Sequence, residues 1–292
     1  MLIPDSEGSC ELDWGHATSV AFEAARRAGS ILREMLDKVV VREKSINDLV
    51  TDADLASQHA IQSILMNHFP DHGFLGEESL MGEEMRSSGW QWVVDPLDGT
   101  TNYAHGLRNF CVSIALLHHR KPVLGVILDP MAQELFSARA GGGAFIQNAD
   151  DPQAGCHPLV PSPCATLQKA LVAVSFPPQM DRDSPEIRRF LEVLLHSQSI
   201  RRLGSAALNL CFVACGRLDA YFGSHLKIWD VAAASLIAQE AGVRLARYDG
   251  GDFDPWQGQV VAAANSPLLG ELLKKLGGIH AAGDADPLDG AS

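Results

Sequence analysis

Hydrophobic and polar positions follow two rhythms along this chain. From Trp14 to about Asp37 the spacing is helical, with Val20, Ala24, Ala28, Ile31, Leu32 and Met35 on one side. The run VVVREKS then predicts a short strand leading into a loop that holds Lys44. The stretch from Asn47 to Asp54 looks like a helix start, capped by Thr51 or Asp52. The helix runs to about His68 on Leu55, Ile61 and Leu65. Residues 69–79 predict a turn, a very short strand and the acidic pair Glu77 and Glu78, and residues 80–91 an exposed loop. After Trp92 the pattern changes to strand length. A buried run ends at Asp95, and Phe110–His118, Pro122–Asp129, Glu134–Ala138 and Ala144–Ile146 predict an antiparallel meander. The first half thus reads as two helices plus an antiparallel sheet.

The second half alternates strand and helix. Strands are expected at Leu171–Ser175, Ser199–Leu203, Asp219–Phe222, Arg244–Tyr248 and Val260–Ala264. Helices are expected at Pro185–Ser197 (Ile187, Phe190, Leu191 and Leu194 inward), Ser205–Cys215, Val231–Ala241 and Pro267–Leu276. Such alternation argues for α/β layers. Residues 148–168 are rich in proline and polar residues and mark the junction. The expected organisation is a loosely ordered N-terminus (1–13), an N-terminal half (14–150), a C-terminal half (151–277) and a frayed tail (278–292).

Composition narrows the function. Of the 292 residues, 46% are apolar and 20% charged, which describes a globular chain long enough for a large core. A formal charge of −13 argues against nonspecific binding to nucleic acid or an anionic membrane. The six cysteines form no CxxC pair and no zinc spacing; Cys211 and Cys215, four apart on an apolar helix, suit buried free thiols. The first residues lack a basic region followed by an apolar run, and no stretch is long enough to span a bilayer. The simplest reading is a reduced, soluble, cytoplasmic protein.

Chemistry concentrates in Trp92-Val-Val-Asp95-Pro-Leu-Asp98-Gly-Thr-Thr-Asn102. Pro96 holds Asp95 extended, Gly99 permits a turn, and Thr100, Thr101 and Asn102 look like a helix start whose side chains satisfy free N–H groups. Two carboxylates three positions apart therefore leave a strand and face a helix, a place for a hard cation and a phosphate together. Ordinary turn chemistry would explain the same residues. An EF-hand fails on spacing, because Gly99 is fifth and Gly106 twelfth counted from Asp95. Asp230 stands where it would cap a helix, and Glu77 ends a strand; capping and solvation alone would account for each. Together, Glu77, Asp95, Asp98 and Asp230 fall at element ends that converge on one edge of a layered fold. Without histidine or cysteine partners they suit Mg2+ or Mn2+.

The stretches Gly76-Glu-Glu-Ser79, Asp95-Pro-Leu-Asp-Gly-Thr-Thr-Asn102, Gly204-Ser-Ala-Ala-Leu-Asn209 and Trp229-Asp-Val-Ala-Ala233, with the loop Lys44–Asp54, resemble the inositol monophosphatase family in order and spacing over about residues 14–276. The resemblance implies an α+β fold, a layered αβαβα sandwich with an antiparallel sheet in the N-terminal half and a mixed sheet in the C-terminal half. It implies a Mg2+-dependent, Li+-sensitive phosphatase holding two or three ions, Mn2+ being an alternative. Glu77, Asp95 and the Leu97 carbonyl would bind a first ion, Asp95, Asp98 and Asp230 a second, and Glu77 a third. Thr100, paired with Asp54, would orient and deprotonate the attacking water. Gly99 and Thr100 would offer N–H groups to the phosphate, and Asp98, Ser205, Ala206, Gly223 and Lys44 would face the substrate, Lys44 from the loop over the site. Glu78 would stand behind Glu77. The implied partner is a small phosphate monoester, and the implied assembly a homodimer.

One position departs from the pattern. Inositol-preferring members carry a glutamate seven residues before the aspartate of the Trp-Asp pair, and this chain has Gly223 there, leaving His225 or Lys227 to meet the leaving group. The substrate expected is an inositol monophosphate or a similar polyol phosphate. The alternatives are fructose-1,6-bisphosphate, 3′-phosphoadenosine 5′-phosphate and histidinol phosphate, or a non-catalytic regulatory binding protein on the same fold.

Overall fold

The structure is a computed structural model that describes residues 12–38, 41–45, 48–79 and 89–277. The expectations for the first residues, Asn47, most of the 80–91 loop and the tail fall outside the described residues. Asp13 caps the first helix, α1 (Trp14–Met35), by accepting the His16 N–H. Its buried stripe of Ala17, Val20, Ala21, Ala24, Ala25, Ala28 and Leu32 lets α1 lie close to its neighbours. The next segment is a hairpin rather than a loop. β1 (Val41–Ser45), which includes Lys44, pairs antiparallel with β2 (Asp48–Thr51). The helix starts at Asp52 behind Thr51, one of the two caps expected, and the residues of the stretch before it form β2.

That helix, α2 (Asp52–His68), buries Asp54, Ser57, Gln58, Ile61 and Leu65. The spacing puts all five on one face, and Leu55, expected as an anchor, points 100° away and is 43% exposed. The face is polar at its start and apolar further on.

β3 (Gly73–Gly76) pairs parallel with β4 (Trp90–Asp98), so the first sheet is not wholly antiparallel. From β4 onward the meander runs β5 (Cys111–His118), β6 (Lys121–Asp129), β7 (Glu134–Arg139), β8 (Ala144–Asn148) and β9 (Cys156–Pro158), each antiparallel to the one before. β9 lies past residue 150, within the segment expected to be the junction. Between β4 and β5 comes the short α3 (Thr100–Ala104).

The second sheet has the order β11-β10-β12-β14-β13. β10 (Leu171–Ser175) lies parallel to β11 (Ser199–Arg201) and β12 (Ala220–Ser224), and β14 (Gln259–Ala263) runs antiparallel to both β12 and β13 (Arg244–Ala246). The helices of this half are α4 (Pro185–His196), α5 (Ala206–Ala214), α6 (Ile228–Ala241) and α7 (Ser266–Leu276).

Strand alternation sorts the layers. On β5, Val112, Ile114 and Leu116 join α1 and α2 in one core, while Cys111, Ala115 and Leu117 join α5 and α6 in another. On β12, Tyr221 faces α5 and α6, and Ala220 and Phe222 face a third core with α7. Three cores make five layers: α1 and α2, the seven-stranded sheet, α5 and α6, the five-stranded sheet, then α4 and α7. α6 sits so close to β6 that a Cβ at Gly125 would lie 2.6 Å from the Ala233 carbonyl oxygen. On α4 the inward face is Glu186, Phe190 and Val193; Leu191 and Leu194, expected inward, are 47% and 43% exposed.

Candidate active site

The central turn is built from a strand that continues past Asp95. A bulge between Asp95 and Asp98 breaks the register with β5, and the Asp95 carboxylate accepts the Leu97 N–H at 2.9 Å. Gly99 closes the turn at φ 103°, and a Cβ there would lie 3.0 Å from the Asn109 carbonyl oxygen. No side chain caps α3. Its polar residues have other duties. The Thr100 hydroxyl lies 3.0 Å from the Leu97 carbonyl and 3.3 Å from Asp54 Oδ1, one proton between two acceptors. The Asn102 amide donates to the carbonyls of Asn109 and Leu203, both at 2.7 Å.

α2 meets this turn end-on. Thr51 caps it, donating its own N–H to Asp54 and receiving the Ala53 and Asp54 N–H groups. Burial pushes the Asp54 carboxyl up to about 6, against the opposing hydrogen bonds from Thr51. One turn further, the Ser57 hydroxyl donates to the Pro96 carbonyl at 2.9 Å, and Gln58 Oε1 accepts the Glu78 N–H at 2.9 Å. So three side chains of one helix face hold Thr100, Pro96 and the Glu77–Glu78 turn. Sequence reading found Asp54 and missed Ser57 and Gln58, although their offsets of three and four from Asp54 were the available signal.

Asp98 reaches the second half. Its carboxylate accepts the Ser205 hydroxyl at 2.6 Å and the N–H groups of Ala207 at 2.7 Å and Ala206 at 3.3 Å, at the start of α5. Ser205, expected at the substrate, is fully buried; its hydroxyl also caps α5 through the Leu208 N–H. Asp230 is the third residue of α6 rather than its cap, and accepts the Lys227 N–H at 2.7 Å. Lys44 lies in β1; its side chain is outside the described residues.

Electrostatics tie the acids together. Burial first, then the charges of Glu77, Asp98 and Asp230, raise Asp95 well above the carboxylate range. Burial and Asp98 do the same to Asp230, and burial raises Asp98 despite its hydrogen bonds. Glu77 and Asp230 line a cavity of about 880 Å³ with Phe176, Pro177, Glu186 and Lys227. Among the described residues, no three Asp, Glu, His or Cys side chains already form a ligand cage. The Asp98 and Asp230 carboxylates are turned to the backbone N–H groups they accept. The donor set is nonetheless one of hard oxygens under mutual repulsion, which is the chemistry a divalent cation relieves.

The sequence profile of the inositol monophosphatase family matches residues 13–281. The chain belongs to this family. Inositol monophosphatase 3 of Solanum lycopersicum is 39% identical over 263 residues, 88% of this chain and 95% of the relative. A protein named Nus factor SuhB from Pasteurella multocida is 38% identical over 262 residues, again 88% of this chain and 94% of the relative. The crystal structure of extragenic suppressor protein suhB from Bartonella henselae superposes with a TM-score of 0.81 at 33% identity, covering 89% of this chain and 98% of that one. The layered fold is therefore the fold of the inositol monophosphatases. Among the described residues no helix is long and apolar enough to cross a membrane.

Proposed function

We propose that this chain is a divalent-cation-dependent phosphomonoesterase of the cytoplasm, with Mg2+ as the natural ion. The observation that carries this reading is the electrostatic coupling of Asp95 to Glu77, Asp98 and Asp230 beside the Thr100–Asp54 pair. Glu77, Asp95 and the Leu97 carbonyl would hold one ion and Asp95, Asp98 and Asp230 another, with Glu77 contributing to a third. When bound, such ions neutralise a phosphate dianion, acidify water and stabilise the departing alkoxide. The protein's own part is positioning and proton transfer. The Gly99 and Thr100 N–H groups orient the phosphate. The Thr100 hydroxyl accepts from the attacking water while passing its proton to Asp54, a carboxyl raised far enough by burial to act as a base near neutrality. Water attacks phosphorus directly, so no phosphoenzyme forms.

The substrate in this reading is a polyol phosphate such as inositol monophosphate. Other phosphate esters are the competing candidates because Gly223 removes the acidic side chain of inositol-preferring members. The relatives named Nus factor SuhB favour a second reading, a regulatory binding protein; the complete acid set favours turnover. The assembly in this reading is a homodimer. A panel of inositol monophosphate, fructose-1,6-bisphosphate, 3′-phosphoadenosine 5′-phosphate and histidinol phosphate, assayed for phosphate release with Mg2+, tests the proposal. Highest kcat/KM on the inositol ester is expected. Preference for another ester would replace the substrate, and release from none would favour the regulatory reading.

A further inference from the structure

Gly223 puts no side chain beside Ser224, which lines the cavity, and a Cβ there would lie 2.7 Å from the Tyr221 hydroxyl. A different carboxylate stands at the same cavity. Glu186, in the first turn of α4, lines it together with Glu77 and Asp230 and is 8% exposed. Its Oε1 accepts the Ser224 hydroxyl at 3.0 Å and lies 3.8 Å from both Arg189 Nη1 and His225 Nδ1. Arg189 is itself held over the Tyr248 ring at 4.2 Å. His225 follows Ser224 with left-handed backbone, φ 59°, and hydrogen-bonds the Ser224 hydroxyl at 3.2 Å. The carboxylate is thus fixed through one oxygen. The Ser224 hydrogen bond and the approaches of Arg189 and His225 all fall on Oε1.

We propose that Glu186 reads the alcohol half of the substrate, its Oε2 accepting a hydrogen bond from a hydroxyl of a polyhydroxylated leaving alcohol. This rests on the phosphatase reading above. The charges around the cavity select the class. A leaving group with a second anion would face the Glu186 carboxylate, which holds no proposed ion. An ammonium would meet Lys227 in the cavity and compete with Arg189 for Glu186. A neutral polyol meets both kinds of group as donor and acceptor. Sequence alone does not single out Glu186, because it lies 37 residues before Gly223 and on another element.

The test compares two esters, myo-inositol 1-phosphate and phenyl phosphate, whose leaving group lacks further hydroxyls. The quantity read is the ratio of their kcat/KM values with Mg2+ in wild type, Glu186→Gln and Glu186→Ala. Loss of a hydrogen bond to a charged acceptor lowers that ratio about ten-fold or more in Glu186→Ala, with the Gln variant between. A structural role for Glu186 would depress both esters in parallel, so a ratio within about two-fold of wild type overturns the proposal. If wild type hydrolyses neither ester, the phosphatase reading fails. Calorimetric binding of inositol 1-phosphate against inorganic phosphate then decides the Glu186 assignment by the same contrast: selective weakening of the inositol ester supports it, and equal binding overturns it.

Discussion

Thr100 shows how little of a residue's role lies in its type. From sequence its hydroxyl reads equally well as a helix cap and as a water-orienting group. The structure removes the first option, since α3 has no side-chain cap and the hydroxyl points at Leu97 and Asp54. Thr100→Val keeps the shape and removes the proton path. We expect kcat for phosphate release to fall about 10²–10⁴-fold with the circular dichroism spectrum unchanged; a fall below about three-fold would remove Thr100 from the proton path. His72 carries a different prediction. It stacks between Phe69 and Trp90, at centroid distances of 4.8 and 5.8 Å, and its Nδ1 is buried without a partner among the described residues. Burial lowers its pKa from 6.5 to about 4, with Asp71 opposing. As pH falls below 6.5 the unfolded chain takes a proton that the folded chain refuses. Stability is therefore full above that pH and drops by about 3 kcal/mol on reaching about 4. Urea titrations across this range should show the loss in wild type and a correspondingly shallower slope in His72→Phe. Parallel slopes would contradict the assignment.

At the scale of elements, strands were legible and helix faces less so. Buried strands of the meander announce themselves because every position is apolar or alternates, and β10 matches its predicted range residue for residue. α2 and α4 misled because their inward faces are partly polar. Asp54, Ser57 and Gln58 turn inward at the site end of α2, and Glu186 turns inward on α4, so Leu55, Leu191 and Leu194 are left outside. Hydrophobic periodicity cannot see a face whose purpose is to hold polar loops. β9 escaped notice for another reason: its three residues, Cys156–Pro158, lie among prolines and are exposed. The polar face of α2 has a measurable function. Gln58 holds the Glu78 N–H and packs so tightly against Gly76 that a Cβ there would lie 2.3 Å from Oε1. Gln58→Ala should raise the Mg2+ concentration for half-maximal activity about ten-fold, with kcat at saturation nearly retained. An unchanged Mg2+ dependence would reduce Gln58 to packing.

For the whole molecule, the site is a joint between two halves. Asp98 leaves the first sheet to meet the N-terminus of α5, Asn102 and Asn109 both donate to the Leu203 carbonyl, and the Ser113 hydroxyl donates to the Trp229 carbonyl next to Asp230. The motifs of the sequence pick out Glu77, Asp95, Asp98 and Asp230, whose charges act on one another in the fold. They could not show that Asp98 and Ser205 spend their hydrogen bonds on holding the halves together, because that partnership spans 107 residues. Under the proposed function the clustered acids hold cations for hydrolysis. Phosphate release by wild type and Asp95→Asn, with Mg2+ and after chelation, tests it most directly. Asp95→Asn removes the group coupled to the other three acids without changing its shape. Release by wild type with Mg2+ and a loss of at least about 10²-fold on chelation or in the variant are expected. Full activity of Asp95→Asn, or activity indifferent to chelation, would contradict it.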